Sequence, residues 1–131
     1  MSLVQFESLS PFVEMMGIEV LDANSDGTRT RLPPREVLQN RKGDVHGGAI
    51  ATLLDTTMGI AARADFSAQA ASSTLSLTVN YLNPGRGELH CAARCLKKGR
   101  SIRFLEAEVL DQAGTVVATA IATFKVFAGV E

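Results

Sequence analysis

GGAIATLLDTTMGIAARA, residues 47–64, decides how the rest of the chain must be arranged. Its apolar residues spread nearly all round a helical wheel, and such a helix is buried rather than laid on a surface. The remainder therefore has to cover it. Upstream, Ser10-Pro11 opens PFVEMM and Gly17 closes it, which reads as a short helix with Ser at the N-cap, Pro at N1 and Gly at the C-cap. A strand is expected over residues 18–23, a turn at Asn24-Ser25-Asp26-Gly27, and a second strand over residues 28–32, together a hairpin. Pro33-Pro34 ends it, and residues 35–45 form a connection. Beyond the helix, the Ala/Ser-rich residues 67–73 give way to strand patterns. Residues 74–82 alternate Leu75, Leu77, Val79 and Tyr81 against Thr74, Ser76, Thr78 and Asn80. Asn83-Pro84-Gly85 breaks that strand. Further strands are expected over residues 88–96, 102–110 and 115–127, with a turn at Lys98-Gly99 and a hairpin loop over 111–114. Two strands, one long helix and four strands joined by short turns predict an α+β fold, one curved antiparallel sheet wrapped around a central helix. The helix is then short of neighbours on one side, which points to a second subunit.

The whole chain, 131 residues, suits one domain spanning 1–131. With 21% charged residues and a net charge of -1, nothing draws it towards nucleic acid or a membrane surface. The longest strongly apolar stretch, residues 49–54, is cut by Asp55, whereas a bilayer span needs roughly 20 such residues. Glu7 and Glu14 stand where a secretory signal would be positive, and no continuous apolar segment follows, so the cytoplasm is the expected compartment. Cys91 and Cys95 sit in one strand with Cα atoms roughly 13 Å apart, too far for a disulfide. His46 and His90 do not complete a zinc spacing with them. Free thiols, no metal and no cofactor are expected.

The residues with chemical content are Asn40, Gly43, His46, Gly47, Gly48 and Asp55, spaced N-x2-G-x2-HGG-x6-D. Asp55 lies mid-helix, and the positions three and four residues away are Ala51, Thr52, Met58 and Gly59, none able to form an intrahelical ion pair. A carboxylate there is costly unless something outside the helix hydrogen-bonds it, and such groups are enriched at active sites, although structural networks produce them too. Gly47 and Gly48 stand where the helix begins, with unpaired N–H groups and no side chain to keep a ligand oxygen away. That suits an oxyanion hole, and it equally suits a tight entry to the helix. Asn40 can serve a ligand or an Asx-turn; His46 can serve a ligand or brace the loop. Gly47 and Asp55 are eight residues apart, roughly 12 Å along a helix axis, an awkward span for one carbonyl and its attacking water. Small residues on the Asp55 face, Gly48, Ala51, Thr52, Gly59 and Ala62, would let a second backbone approach. A two-fold dimer would set the glycine end of one chain against the Asp55 of the other.

DVHGGAIATLLDTTMG resembles the signature of hotdog-fold thioesterases of the phenylacetate-degradation (PaaI-like) type, and the likeness continues through STLSLTVNYLNPG, the KKGRS turn and the final VVATAIATFKVF. The resemblance implies an acyl-CoA thioesterase acting as a homodimer or homotetramer with its sites at the subunit interface. It assigns carbonyl polarisation to the Gly47 amide, activation of water or direct attack to Asp55, help at the carbonyl to Asn40, and placement of the water to Thr74. Strict alternation would turn Thr74 away from the face of Leu75, Leu77 and Val79. His46 and Gly48 are the neighbouring candidates for substrate contact. Arg94, Lys97, Lys98, Arg100 and Arg103 form an acid-free basic window; Lys98 and Arg100 are candidates for coenzyme A phosphates, with a solvated hairpin turn as the plainer reading. The competing functions are a non-catalytic acyl-CoA binder and a hotdog hydratase or dehydratase, whose His-and-carboxylate motifs are not found here.

Overall fold

The computed structural model describes residues 9–66 and 70–127. The N-terminal Glu7 and part of the 67–73 stretch lie outside the described residues. Among the described residues two α-helices and six strands follow in the order α1 (Pro11–Met16), β1 (Glu19–Asn24), β2 (Gly27–Leu32), α2 (Gly47–Ala62), β3 (Ala71–Tyr81), β4 (Leu89–Lys98), β5 (Ile102–Leu110) and β6 (Val116–Phe127), with one 3-10 turn at Glu36–Leu38. One antiparallel sheet runs β1-β2-β4-β5-β6-β3. The chain leaves the β1-β2 hairpin, passes through α2, and returns at the far edge as β3. α2 packs against all six strands.

Local chemistry explains the boundaries. Ser10 Oγ accepts from the Val13 N–H at 3.3 Å, and Gly17 ends α1 in the left-handed region at φ 84. In the first hairpin Asn24 Oδ1 accepts from the Asp26 N–H at 2.8 Å. Gly27 must be glycine, since a Cβ there would stand 2.6 Å from the Ala93 carbonyl oxygen. α2 ends two residues earlier than the sequence predicts, because the Arg63 N–H already bonds the Ile60 carbonyl in a tighter closing turn. β3 begins three residues earlier than predicted, drawn into pairing with the end of β6 from Ala71 onward.

The core lies between α2 and the sheet. Leu53, Leu54 and Met58 are fully buried against Leu32, Leu89, Leu105, Val109 and Phe124, and each such side chain contributes about 1.5–3 kcal/mol on burial. Thr57 belongs to the same buried face. Its hydroxyl donates to the Leu53 carbonyl and lies 2.7 Å from Thr30 Oγ1, so Thr30 is the donor in that pair. Cys91 is buried beside them, and burial pushes its thiol up to about 12.

The alternation expected for β3 breaks at one point. Thr74 pairs with Phe124, and Ser76 with Thr123, so Leu75 is an extra residue without a partner. Directly paired residues point to the same face. Thr74 therefore shares the inner face with buried Phe124, while Leu77 and Val79 share it through buried Ala122 and Ala120. Leu75 itself remains 54% exposed. The bulge places Thr74, Leu77 and Val79 on one side, where uniform alternation would have separated Thr74 from the others.

Candidate active site

α2 begins with His46 as its N-cap residue. The first amides of a helix have no intrahelical acceptor, and most of these have found other acceptors. The Gly48 N–H donates to His46 Nδ1 at 2.8 Å. The Ala49 and Ile50 N–H groups both reach the His46 carbonyl, at 2.9 and 3.1 Å. Among the described residues the Gly47 N–H has no hydrogen-bond partner, and it sits at the positive end of the helix dipole. Tyr81 closes this corner. Its hydroxyl donates to the Gly47 carbonyl at 2.8 Å, and its ring lies 3.4 Å from where a Gly47 Cβ would be. His46 and Gly48, both candidates for substrate contact, are thus bonded to one another, with the Nδ1 atom as acceptor.

Asp55 is half-buried on the side of α2 that the sheet leaves open, with Ala51, Thr52 and Thr56 beside it, also half-buried. The partner missing from its own helix comes from β3. Thr74 Oγ1 donates to Asp55 Oδ1 at 2.7 Å, a contact that depends on the bulge at Leu75. Of the small residues expected to admit a second backbone, Gly48, Ala51 and Thr52 keep some exposure. Gly59 and Ala62 do not: both are buried within their own chain, and a Cβ on Gly59 would meet Phe124 and Ser72.

Asn40 braces its loop. Its Oδ1 accepts from the Lys42 N–H at 2.9 Å and the Asp44 N–H at 3.1 Å, while its own N–H donates to the Asp44 carbonyl. Because the oxygen is committed, the side-chain NH2 is left as a donor with no partner among the described residues. The loop is pinned in turn. Buried Asp44 pairs with Arg86 at 2.6 Å, the Val45 N–H reaches the Gly85 carbonyl, and the His46 N–H reaches that of Leu38.

The basic window divides. Arg103 is buried, 5% exposed; it donates to the carbonyls of Gly99 and Ala62, pairs with Asp65 at 2.6 Å, and stacks over Phe66 at 4.6 Å. Arg94 pairs with Glu106 on the outer face of the sheet. Both are therefore committed within the chain. Lys98 and Arg100 are exposed, and Lys98 is near enough to Asp65 for its charge to act there, which sets it at the end of α2 opposite Gly47. A groove of about 740 Å³ opens on the outer face, among Arg29, Arg94, Glu106, Glu108 and Ile121; no residue of the HGG-x6-D motif lines it. Among the described residues no cluster of His, Cys, Asp or Glu has the makings of a metal site, and no helix is long and apolar enough to cross a membrane. Sequence reasoning missed Tyr81, which it treated only as an apolar strand position. No sequence signal marked the bulge.

Comparison with known proteins adds the family. Residues 2–126 match a family described as a domain of unknown function, DUF4442. A candidate esterase of Halobacterium salinarum is 36% identical, over 88% of this chain and 83% of its own. The structure of a conserved protein from Pseudomonas aeruginosa superposes with a TM-score of 0.85 at 35% identity, covering 91% of this chain and 95% of that one. A thioesterase family protein from Silicibacter pomeroyi gives 0.84 at 26% identity, covering 92% and 91%. The antiparallel sheet around one long helix is the hotdog fold that these structures share, and the chain belongs to the DUF4442 family.

Proposed function

We propose that this protein is a cytoplasmic acyl-CoA thioesterase of the PaaI-like type, hydrolysing an acyl- or aryl-CoA to the free acid and coenzyme A with Asp55 as general base or nucleophile. The observation that carries the reading is the pairing of Thr74 with Asp55 on the open side of α2, in a chain whose helix start keeps one amide unpaired. Thr74 occupies Oδ1, and among the described residues Oδ2 has no partner, so it can take a proton. In the general-base route a water gives that proton to Oδ2 as its oxygen bonds the thioester carbonyl carbon. The carbonyl oxygen gains negative charge and accepts hydrogen bonds from the Gly47 N–H and the Asn40 NH2. When the tetrahedral intermediate collapses, the C–S bond breaks, and the proton held by Asp55 goes to the departing thiolate. In the nucleophilic route Oδ2 attacks the carbonyl carbon itself, the C–S bond breaks and coenzyme A leaves as its thiolate. Water then hydrolyses the anhydride to the free acid and the Asp55 carboxylate, and the proton released goes to the thiolate. Lys98 and Arg100 are the cations we assign to the coenzyme A phosphates.

The site is shared in this reading, Gly47 and Asn40 coming from one chain and Asp55 and Thr74 from its partner in a homodimer or a homotetramer. The roughly 12 Å between Gly47 and Asp55 along one helix argues for it. So does the β3 edge, eleven residues long and without a charge or a proline to discourage pairing.

A panel of acyl- and aryl-CoA thioesters tests the reaction, with turnover and binding measured side by side. Asp55→Asn keeps the shape and removes the basicity, so kcat should fall by about 10²-fold or more with the fold intact. Wild-type turnover in that variant would remove Asp55 from the mechanism. Tight binding of the panel without any turnover would leave a binding protein instead.

A further inference from the structure

Resting on the thioesterase reading above, we infer that Tyr81 is a positioning residue for the carbonyl site: it fixes the Gly47–Gly48 peptide so that the neighbouring Gly47 N–H stays aimed at the substrate oxygen. A helix that opens on two glycines begins with the greatest backbone freedom of any pair of residues. An amide donor there needs an external restraint if it is to be ready before the charge develops. The structure supplies two restraints on one peptide group. Its N–H end is held by His46 Nδ1 and its C=O end by the Tyr81 hydroxyl, each at 2.8 Å. With that plane held at both ends, rotation about the Gly47 Cα is restricted, and the Gly47 N–H points one way. Tyr81 is itself anchored, since it ends β3 paired with buried Ala118 of β6. Its side chain is not a core residue, being 53% exposed, so packing alone does not explain a phenol set against this carbonyl. Gly47 completes the fit, because a side chain at that position would have to share the space of the Tyr81 ring.

Tyr81→Phe removes the hydroxyl and keeps the ring. Thioester kinetics and amide hydrogen exchange of the Gly48 N–H are to be measured on the same samples, with thermal unfolding as the check on folding. In this variant kcat should fall about five- to tenfold while KM for acyl-CoA stays within about twofold, because the oxyanion is stabilised less and ground-state binding is untouched. Gly48 exchange should accelerate by a similar factor. Tyr81→Leu, which also loses the ring, should lie further from wild type, with Phe restoring part of the difference. A fall in kcat without faster exchange would mean that Tyr81 acts directly on the substrate, which overturns the positioning role. Faster exchange at undiminished kcat overturns it too, by showing that the orientation of this peptide does not matter. If wild type turns over no thioester, the thioesterase reading fails separately, and exchange alone decides: unchanged Gly48 protection in Tyr81→Phe would then refute the clamp.

Discussion

The two edges of the sheet are built by opposite rules. β1 is six residues long, is bulged at Leu21, and carries Glu19 and Asp22, which pair with Arg31 and Arg29 of β2. Short length, a bulge and charge are devices that keep an edge strand from recruiting another. β3 is eleven residues long and has no Asp, Glu, Lys, Arg or Pro. Its bulge at Leu75 serves a different end, turning Thr74 towards Asp55. Leu82 and Tyr81, at the end of β3 and just beyond it, are both more than half exposed. One edge is finished within the chain, while the other has the chemistry of a seam and carries a residue of the candidate site. Solvent exposure points the same way, since most residues of β3 are exposed while most of β1 is half-buried or buried; the placement of charge along the strand adds the chemical distinction.

The largest effect that this contrast predicts is a recovery of activity. Asp55→Asn and Asn40→Ala, each crippled alone, are denatured and refolded together. If β3 is the seam and the site is shared, a mixed dimer holds one site with both lesions and one with neither. Random mixing then restores about a quarter of wild-type activity. Mixed dimers that gain nothing over the separate variants would assign Asp55 to its own chain's carbonyl. A smaller effect is expected from charge placed on the β3 edge. Ser76→Lys with Thr78→Lys sets like charges near their own copies across a two-fold axis, which should weaken dimerisation by about tenfold or more in sedimentation. Leu21→Lys on the β1 edge should leave the assembly unchanged. Equal sensitivity at the two edges would abolish the distinction.

The fold was legible because it rests on long, redundant signals. The all-round apolar helix at 47–64 had to be covered, and five turn signals cut the remainder into strands. The site was legible only in part. The N-x2-G-x2-HGG-x6-D spacing singled out Asp55 and the helix-start glycines, but spacing along one helix could not say what would hydrogen-bond the carboxylate. That depended on the bulge at Leu75, whose sequence context, TLSLT, reads as unbroken alternation. Bulges are set by how a strand pairs, here with β6, about fifty residues further along the chain. Tyr81 was hidden for a similar reason. In β3 it is one more apolar position, and its hydroxyl acquires a purpose only when Gly47 is brought beneath it. The basic window misled in the opposite direction. Five cations in ten residues suggested one phosphate site, yet strand pairing turned Arg94 outward to Glu106 and Arg103 inward to Asp65.

That last pair gives the smallest predicted effect, and it sharpens the contrast with the β1 edge. Burial alone would raise the Asp65 carboxyl, but the hydrogen bond and charge of Arg103, helped by Lys98, outweigh it and hold the group below its ordinary value of 3.8. A depressed carboxylate stabilises the fold wherever it is ionised in both states. That contribution is complete above the unfolded-state value and is lost as pH falls through the folded one. Asp65→Asn should therefore lower stability by about 1 kcal/mol in urea unfolding at pH 7, a figure kept small because the Asp65 side chain retains 32% exposure. The gap between wild type and variant should begin to narrow as the pH falls below 3.8 and close only below the lower value of the folded group, where the wild-type carboxyl is also neutral. Asp22→Asn removes an exposed ion pair at the β1 edge, and it should show no measurable gap at either pH, since that pair serves to keep the edge polar. If the Asp65 gap is as wide in acid as at neutrality, the residue acts by its shape and hydrogen bonds, and charge has no part in tying the end of α2 to Arg103.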